Sequence, residues 1–259
     1  MKLEPAAAAL GAKIVLLEEV GSTNAEALAR ARAGEREPLW VVARRQISGR
    51  GRRGRTWISE PGNLYASLLL VDPAPPSRAA ELSLVAALAV HDAVAEIAAT
   101  VGPRLKVKWP NDLLYDGAKL AGILVEGESL TDGTLAVAVG IGVNCRHHPS
   151  DMPYPATNLE EAGALVAPED LMRGLSGAMT RRLIDWDRGG GFATVRAAWL
   201  ARAAGLGAPA RVRLPEREIE GLVETLDEAG RLVLRQADGR VERVTAGEMF
   251  PLAASQPAS

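Results

Sequence analysis

Short apolar runs separated by turn residues fill the first half of the chain and predict β-strands. The predicted strands cover residues 13–17, 39–43, 63–71, 104–109, 113–115, 119–126 and 135–143. The dipeptides Asp116-Gly117 and Asp132-Gly133 mark tight turns between neighbouring strands. Because short strands joined by tight turns pair with their neighbours, the predicted sheet is mixed and largely antiparallel.

Longer stretches with apolar residues at helical spacing predict four helices between and after these strands. They run from Ser22 or Thr23 to about Ala33, and over residues 77–100, 168–187 and 192–203. Thr23 and Glu26 have the spacing of a capping box, which would start the first helix. Helices flanking a largely antiparallel sheet predict an α+β fold.

The pattern changes after Gly205, where strands become short and closely spaced. Predicted strands at residues 210–214, 219–226, 231–236 and 240–245 are punctuated by Gly230 and the Asp238-Gly239 pair. This spacing predicts a small β-barrel. We therefore expect a larger domain over residues 1–207, a barrel domain over 208–253, and a frayed tail over 254–259.

Composition narrows the function classes. The net charge of −2 over 259 residues argues against a chain built as a whole to bind nucleic acid or anionic membranes. A single cysteine, Cys145, excludes an internal disulfide and fits a reducing cytoplasm. No uninterrupted apolar run is long enough for a membrane span, so no membrane association is expected.

Positive charge is concentrated in the segment QISGRGRRGRTW at residues 46–57, here called the arginine loop. Arginine supplies planar, permanently charged groups that suit phosphate and carboxylate, and glycine lets the backbone approach a ligand closely. The loop has little to bury, so an anionic ligand is expected to order it. A solvated basic loop without a ligand is the alternative. Its arginines and glycines are Gly49, Arg50, Gly51, Arg52, Arg53, Gly54 and Arg55.

Four other segments carry candidate chemistry: GSTN at 21–24, KWPND at 108–112, Lys119, and GIGVN at 140–144. Each alone could be a helix cap, a turn or a surface lysine. No Walker-type phosphate loop is present, and arginines occupy positions that a dinucleotide-binding fold needs for helix packing. We also identify no metal-ligand cluster in the sequence, since the adjacent His147 and His148 fit a loop better.

Together, GSTN, QISGRGRRGRTW, KWPNDLL, KLAGILVE and GIGVN resemble the biotin protein ligase family in order and spacing. The resemblance covers roughly residues 13–158, and the family's small C-terminal domain is also expected. It implies a catalytic domain of the biotin/lipoate ligase type, similar to class II aminoacyl-tRNA synthetases. Only about a dozen residues precede the first predicted strand, so the resemblance is to the monofunctional form without a DNA-binding domain, and no DNA binding is expected.

The resemblance implies an ATP-dependent ligase. Such an enzyme converts biotin to biotinyl-5'-AMP, releases pyrophosphate, and then transfers biotin to a lysine of a carboxylase's biotin carboxyl carrier domain. Fixed cations would lower the repulsion between the biotin carboxylate and the α-phosphate, and Mg²⁺ would share that task. The glycine-rich loop would close over the adenylate and exclude water.

Specific residues inherit roles from this resemblance. Lys119 is expected to reach the biotin carboxyl group and the phosphate, Lys108 the phosphate, and Trp57 the adenine. Catalytic roles are implied for Lys108, Lys119 and Arg52. Biotin binding is implied for Ser22, Thr23, Asn24, Gln46, Gly49, Arg50, Gly51, Arg52, Lys119, Gly122 and Gly142. Nucleotide binding is implied for Arg53, Arg55, Trp57, Lys108, Asn111 and Asn144.

The sequence also allows other functions. A lipoate or octanoate ligase or transferase could use the same scaffold, and a ligase-like effector could bind the adenylate without transferring it. A nucleic-acid-binding module is a further alternative, but the loop lacks interleaved aromatic residues. Monomer and homodimer both remain possible, with the strand at 135–143 as a candidate free edge for dimerisation.

Overall fold

The computed structural model describes residues 1–150 and 154–252, so the predicted tail at 254–259 lies outside the described residues. Within these residues the α-helices are α1 (Pro5–Ala9), α2 (Thr23–Arg32), α3 (Leu82–Ile97), α4 (Pro168–Trp186) and α5 (Phe192–Leu200). The strands of the first sheet are β1 (Lys13–Val20), β2 (Leu39–Gln46), β3 (Leu64–Val71), β4 (Leu105–Lys108), β5 (Asp112–Tyr115), β6 (Ala118–Ser129) and β7 (Leu135–Val143). The strands of the second sheet are β8 (Pro209–Arg213), β9 (Glu218–Leu226), β10 (Leu232–Arg235), β11 (Val241–Val244) and β12 (Glu248–Pro251).

The first sheet has seven strands in the order β1-β2-β3-β7-β6-β5-β4. Its first two strands are parallel, and every other neighbouring pair is antiparallel. Helices cover both faces, and the predicted mixed, largely antiparallel α+β fold is confirmed. Among the described helices, none combines the length and apolarity needed to cross a lipid bilayer.

Side-chain alternation along the strands separates two hydrophobic cores. On β2, Trp40 and Val42 point into the large core against α3, α4 and α5, whereas Leu39 and Val41 point into a smaller core against α2. This period of two is what a strand buried on both faces requires. The smaller core stops short of the N-terminal end of α2, which leaves space on that face of the sheet.

The sequence of β7, LAVAVGIGV, shows why this space exists. The larger residues Val137, Val139 and Ile141 fill the large core. The alternate positions, which face α2, become glycine at Gly140 and Gly142, and both line a cavity. A strand with bulky residues on one face and glycines on the other packs a core and supports a cavity at the same position.

The second sheet has the order β11-β10-β9-β8-β12 and is antiparallel throughout. The predicted C-terminal β-structure is thus present, and its end strands do not pair with each other in the described residues. The Trp109 indole N–H donates to the Gly230 carbonyl at 3.3 Å, and Arg196 Nε donates to the Leu226 carbonyl at 2.6 Å. These contacts seat the second sheet beside β4 and α5.

Three local predictions were wrong. The strand at 135–143 is no free edge, because β7 pairs with β3 and β6 over its whole length. The capping box does not form, because Thr23 pairs with Gln46 and Glu26 pairs with Arg30 at 2.8 Å instead. The helix predicted over 77–100 is a 3₁₀ turn at Pro76–Glu81 followed by α3, which ends at Ile97.

Candidate active site

A cavity of about 260 Å³ lies beyond the N-terminus of α2, between the glycine-bearing sheet face and the arginine loop. It gathers segments that are far apart in sequence. Of the residues predicted for the site, Gly49 and Arg53 do not line the cavity. Those that do are Ser22, Thr23, Asn24, Gln46, Arg50, Gly51, Arg52, Arg55, Trp57, Lys108, Asn111, Lys119, Gly122, Gly142 and Asn144.

One end of the cavity is lined mainly by uncharged polar groups, with the Glu126 carboxylate 2.8 Å from the Asn24 amide and paired with Arg50, and is here called the neutral end. Thr23 N–H donates to Gln46 Oε1 at 2.8 Å, and the Thr23 hydroxyl lies 3.0 Å from the same oxygen. Ser67 Oγ lies 2.7 Å from Thr23 Oγ1 and 2.6 Å from Asn24 Oδ1. Thr23, Asn24 and Ser67 are buried, so these hydrogen bonds hold donors and acceptors in fixed directions.

The opposite end carries charge and is here called the cationic end. Lys119 Nζ lies 2.7 Å from Asp112 Oδ1, and both side chains are only 16% exposed. Arg52 donates to Asn111 Oδ1 at 3.2 Å, while the Asn111 amide donates to the Ile123 carbonyl at 2.7 Å. The structure therefore places two predicted catalytic residues on neighbouring side chains, Lys119 on the Asp112 carboxylate and Arg52 on the Asn111 amide.

Burial lowers the pKa values of two cationic side chains at this end, Lys108 and Arg52. Desolvation lowers the pKa of Lys108 below its usual value, Lys119 and Arg55 lower it further, and Asp112 opposes that fall. Desolvation likewise lowers the pKa of Arg52, although a guanidinium remains charged in proteins. Clustered cations in a shielded site attract an anionic ligand more strongly than they would in water.

Trp57 lies between the two ends and is held by glycines. A Cβ at Gly142 would lie 2.6 Å from its indole ring, and a Cβ at Gly122 would lie 3.0 Å from it. The Lys119 ammonium is 5.5 Å from the Trp57 ring centre and 5.4 Å from that of Tyr154. The Trp57 indole N–H is buried without a hydrogen-bond partner among the described residues.

The arginine loop forms a compact hairpin over the cavity. Trp57 N–H donates to the Gly49 carbonyl at 2.9 Å, and Gly51 N–H donates to the Arg55 carbonyl at 2.7 Å. Positive φ occurs at Arg53 (57°) and Gly54 (71°). At Gly49 a glycine is required for a different reason, because a side chain would not fit there. A Cβ at Gly49 would lie 2.5 Å from the Trp57 carbonyl oxygen.

The loop also contacts the second sheet. Arg55 pairs with Glu248 at 2.7 Å, and Arg53 donates to the Arg213 carbonyl at 3.2 Å. Lys108 lies 5.7 Å from the centre of the Phe250 ring. These contacts turn Arg53 away from the cavity, while β12 contributes Glu248 and Met249 to the cavity wall.

Asn144 braces the wall of the cavity. Its amide donates to the Thr157 carbonyl at 3.0 Å, and Thr157 N–H donates to the Lys119 carbonyl at 3.0 Å. Asn144 therefore helps position the backbone beside Lys119. Direct contact with a nucleotide stays a prediction.

The cavity and network residues that escaped the sequence reasoning include Ser67, Asp112, Glu126, Tyr154 and Glu248. Asp112 stands inside the KWPND segment and Glu126 inside KLAGILVE, so both were within recognised motifs. Their charge was the available signal, since a carboxylate inside an otherwise apolar or cationic motif needs a partner. Glu248 carried no such signal, because it lies beyond the last predicted strand, which ends at residue 245, and a lone glutamate there is ordinary.

Comparisons with known proteins identify the family of the chain. A model of the biotin/lipoate A/B protein ligase family matches residues 20–144, and one of the biotin protein ligase C-terminal domain matches residues 205–250. The chain is 43% identical over 241 residues to a biotin–[acetyl-CoA-carboxylase] ligase of Paracoccus denitrificans, covering 91% of this chain and 99% of that one. The chain belongs to the biotin protein ligase family. Another family member, the biotin–[acetyl-CoA-carboxylase] ligase of Mycobacterium tuberculosis, is 34% identical, with 92% and 88% covered.

Solved structures of the biotin protein ligase family share the fold. The Aquifex aeolicus enzyme in complex with biotin and ATP superposes with a TM-score of 0.76 at 28% identity, covering 93% of this chain and 99% of that one. The Leishmania major enzyme in complex with biotinyl-5-AMP gives a TM-score of 0.61 at 27% identity, with 90% and 99% covered.

Proposed function

We propose that the protein is an ATP-dependent biotin–[biotin carboxyl-carrier protein] ligase. It joins biotin to AMP, releases pyrophosphate, and transfers the biotinyl group to a lysine of a carboxylase's carrier domain. One observation carries this proposal: a single cavity has a neutral polar end and a cationic end, with Trp57 between them. A ligand that is uncharged at one end and anionic at the other matches that division, and biotinyl-5'-AMP is such a molecule.

The first step joins two anions. An oxygen of the biotin carboxylate attacks the α-phosphorus of ATP, an O–P bond forms, and the bond to the pyrophosphate leaving group breaks. Lys119, Arg52 and Lys108 are the cations that line the cavity where this charge develops. Preorganised cations in a shielded site stabilise the transition state because they need little rearrangement.

The neutral end holds the uncharged ring system of biotin. Its ureido group offers N–H donors and a carbonyl acceptor, and Ser22, Thr23, Asn24 and Gln46 offer complementary groups. Ser22, Thr23 and Asn24 are buried, so their polar groups point in fixed directions, and a ligand that does not match those directions binds less tightly. Gly140 and Gly142 leave the room that the side chains of Asn24 and Trp57 need against the sheet, which lets both of them line the cavity.

The arginine loop covers the intermediate. A mixed anhydride is hydrolysed by water, so the enzyme must keep water out until the acceptor lysine arrives. Arg50, Gly51 and Arg52 lie on the loop face that lines the cavity. In the second step the lysine amine attacks the acyl carbon, an amide bond forms, and AMP leaves.

Magnesium accompanies ATP in this proposal. Protein sites for Mg²⁺ use one or two carboxylates together with substrate phosphates, and the described residues contain no cluster of three or more acidic or histidine ligands. Asp112 and Glu248 fit that limited contribution, since both line the cationic end. When bound, the ion would neutralise phosphate charge. A cytoplasmic location and a monomer or homodimer belong to the same proposal.

The decisive experiment is mass spectrometry of the protein after incubation with biotin, ATP and magnesium. A bound mass equal to biotinyl-5'-AMP is expected, with one pyrophosphate released for each adenylate formed. A parallel incubation with lipoate tests the alternative ligase on the same scaffold. An adenylate that forms with lipoate and not with biotin would contradict the proposal.

A further inference from the structure

The hairpin turn between β4 and β5 carries charged groups of the cationic end on both of its sides. Lys108 is the last residue of β4 and Asp112 is the first of β5, and the two pair across the hairpin. Both residues line the cavity, and so do the intervening residues 109–111. A small rotation of this segment, here called the β4–β5 turn (residues 108–112), would therefore move a cation and a carboxylate together. Displacements of about 1 Å in an active site can cost much of the rate.

Helix α3 holds the β4–β5 turn from outside the cavity. The Ser83 hydroxyl donates to the Pro110 carbonyl at 3.0 Å. Proline has no backbone N–H, so this carbonyl is the backbone hydrogen-bonding group that Pro110 offers. Ser83 is not among the described residues that line the cavity. The hydroxyl therefore contacts the turn without being placed to contact a ligand.

Ser83 stands on a rigid part of the fold. It is the second residue of α3, and the two residues before it, Glu81 and Leu82, are buried. The Glu81 carboxylate accepts from the Trp186 indole N–H and from Arg78, both at 2.7 Å. A buried carboxylate with both oxygens hydrogen-bonded fixes the start of α3 against α4. These contacts hold Ser83 in place without involving the arginine loop.

The other hydrogen bonds of the turn act at its sides. The Trp109 indole donates to Gly230 in the second sheet at 3.3 Å. On the opposite side, the Ile123 N–H donates to the Asn111 carbonyl at 2.9 Å, and the Asn111 amide donates to the Ile123 carbonyl at 2.7 Å. Among these contacts, the Ser83 hydroxyl is the one that acts at the middle of the turn and connects it to a helix.

We propose that Ser83 is a positioning residue for adenylate formation, because it holds the β4–β5 turn so that Lys108 and Asp112 keep their places at the cationic end. Preorganised charges stabilise a transition state only while they stay in place, so loss of the hydroxyl slows the chemical step. The hydrogen-bonded groups of the neutral end lie on other elements, so biotin affinity does not depend on Ser83. This inference rests on the proposed function, since it names the reaction whose rate changes.

Three variants isolate the hydroxyl group. Ser83→Ala removes it and Ser83→Thr keeps it. Ser176→Ala is the matched control, because Ser176 lies on α4, donates to the Arg173 carbonyl at 2.8 Å, and is not among the described residues that line the cavity. Ser176 also accepts from the Glu4 N–H at 2.9 Å and is buried. The control should therefore lose at least as much stability as Ser83→Ala.

The test separates rate from affinity. Biotin-dependent pyrophosphate exchange at saturating biotin and ATP measures kcat, calorimetry measures the biotin dissociation constant, and thermal unfolding measures stability. In Ser83→Ala, kcat is expected to fall about fivefold, the scale of one neutral hydrogen bond. The biotin dissociation constant should change less than about twofold, because distant groups contribute independently. Ser83→Thr should recover most of the lost kcat, and Ser176→Ala should lower the unfolding temperature without lowering kcat.

The outcomes separate this inference from the proposed function. A native kcat in Ser83→Ala, or a kcat in Ser83→Thr as low as in Ser83→Ala, would overturn the positioning role and leave the proposed function standing. Equal losses of kcat in Ser83→Ala and Ser176→Ala would also overturn it, because reduced stability would then explain both. Weaker biotin binding with an unchanged kcat would assign Ser83 to the neutral end instead and overturn the inference. A native protein that forms no adenylate from biotin and ATP would overturn both proposals.

Discussion

The two ends of the cavity are built on different principles. At the neutral end, buried hydroxyl and amide groups satisfy one another through short hydrogen bonds, as between Ser67 and Asn24 at 2.6 Å. At the cationic end, Lys119 lies 2.7 Å from the Asp112 carboxylate, and burial lowers the pKa values of Lys108 and Arg52. One end is organised before a ligand arrives, and the other holds opposed charges that an anionic ligand must rearrange.

This difference indicates that the neutral end determines biotin affinity and that the cationic end determines the rate of the chemical step. Neutral hydrogen bonds define shape and orientation, so changes there should act on affinity for biotin. Charged groups act most strongly where new charge develops, so changes at the cationic end should act on the rate of adenylate formation. Substitutions at each end test whether the division holds.

The largest effect is expected for Lys119→Met, which removes the cation from between Asp112, Trp57 and Tyr154. Biotin-dependent exchange of pyrophosphate into ATP should fall roughly 10²–10³-fold, because a preorganised charge at the reacting phosphate is lost. Lys106→Met is the control, since Lys106 is exposed on β4. A Lys119→Met protein with near-native exchange would remove Lys119 from the catalytic set.

Two glycines of β7 offer a sharper comparison between the ends. A Cβ at Gly140 would lie 2.5 Å from Asn24 Oδ1, and one at Gly142 would lie 2.6 Å from the Trp57 ring. Overpacking costs of this kind predict roughly tenfold weaker biotin binding for Gly140→Ala. Gly142→Ala displaces Trp57, which lies between the two ends, so it should weaken the binding of both biotin and ATP.

The control for these variants is Gly127→Ala, where the nearest atom would be at an ordinary 3.5 Å. Isothermal titration with biotin and with ATP measures the two affinities separately. Equal losses for both ligands in Gly140→Ala would show that the neutral end does not bind biotin independently.

The sequence predicted much of this arrangement because the fold and the cations follow local rules. Alternation and turn dipeptides located the strands, and the motif segments predicted Lys119, Arg52 and Gln46, which all line the cavity. The resemblance supplied their roles. Such features are readable because strand period, turn chemistry and arginine–glycine composition are properties of adjacent residues.

The parts that were missed depend on the register between distant segments. Ser67 meets Asn24 only because β3 pairs with β7 beneath the N-terminus of α2. Thr23 was expected to cap its helix, but its N–H donates to the side chain of Gln46, which lies 23 positions further along the chain. Glu248 reaches the cavity because the second sheet docks beside the first. No local pattern encodes these long-range pairings.

A smaller effect is expected for Asp112→Asn, which removes the carboxylate that neutralises Lys119. Without magnesium, pyrophosphate should bind roughly fivefold more tightly, since unit charges about 4 Å apart interact by about 1 kcal/mol even in water. The gain should shrink as salt rises, because ions screen it. Calorimetry at two ionic strengths measures both effects, and weaker binding in the variant would show that Asp112 organises the cationic end by holding Lys119 in place.

The smallest effect concerns the pH dependence of Lys108. Burial disfavours its ammonium form, so its pKa is lowered and its proton leaves at a lower pH than in an exposed lysine. The value of kcat/KM for ATP should therefore decline as pH rises towards the ordinary lysine range, because kcat/KM reports the free enzyme. Lys108→Arg keeps the charge throughout, so the ratio of variant to native kcat/KM should increase about threefold when two thirds of Lys108 has lost its proton. Lys106→Arg serves as the exposed control, and a ratio that stays flat for Lys108→Arg would mean that the Lys108 charge does not contribute to binding or reaction of ATP.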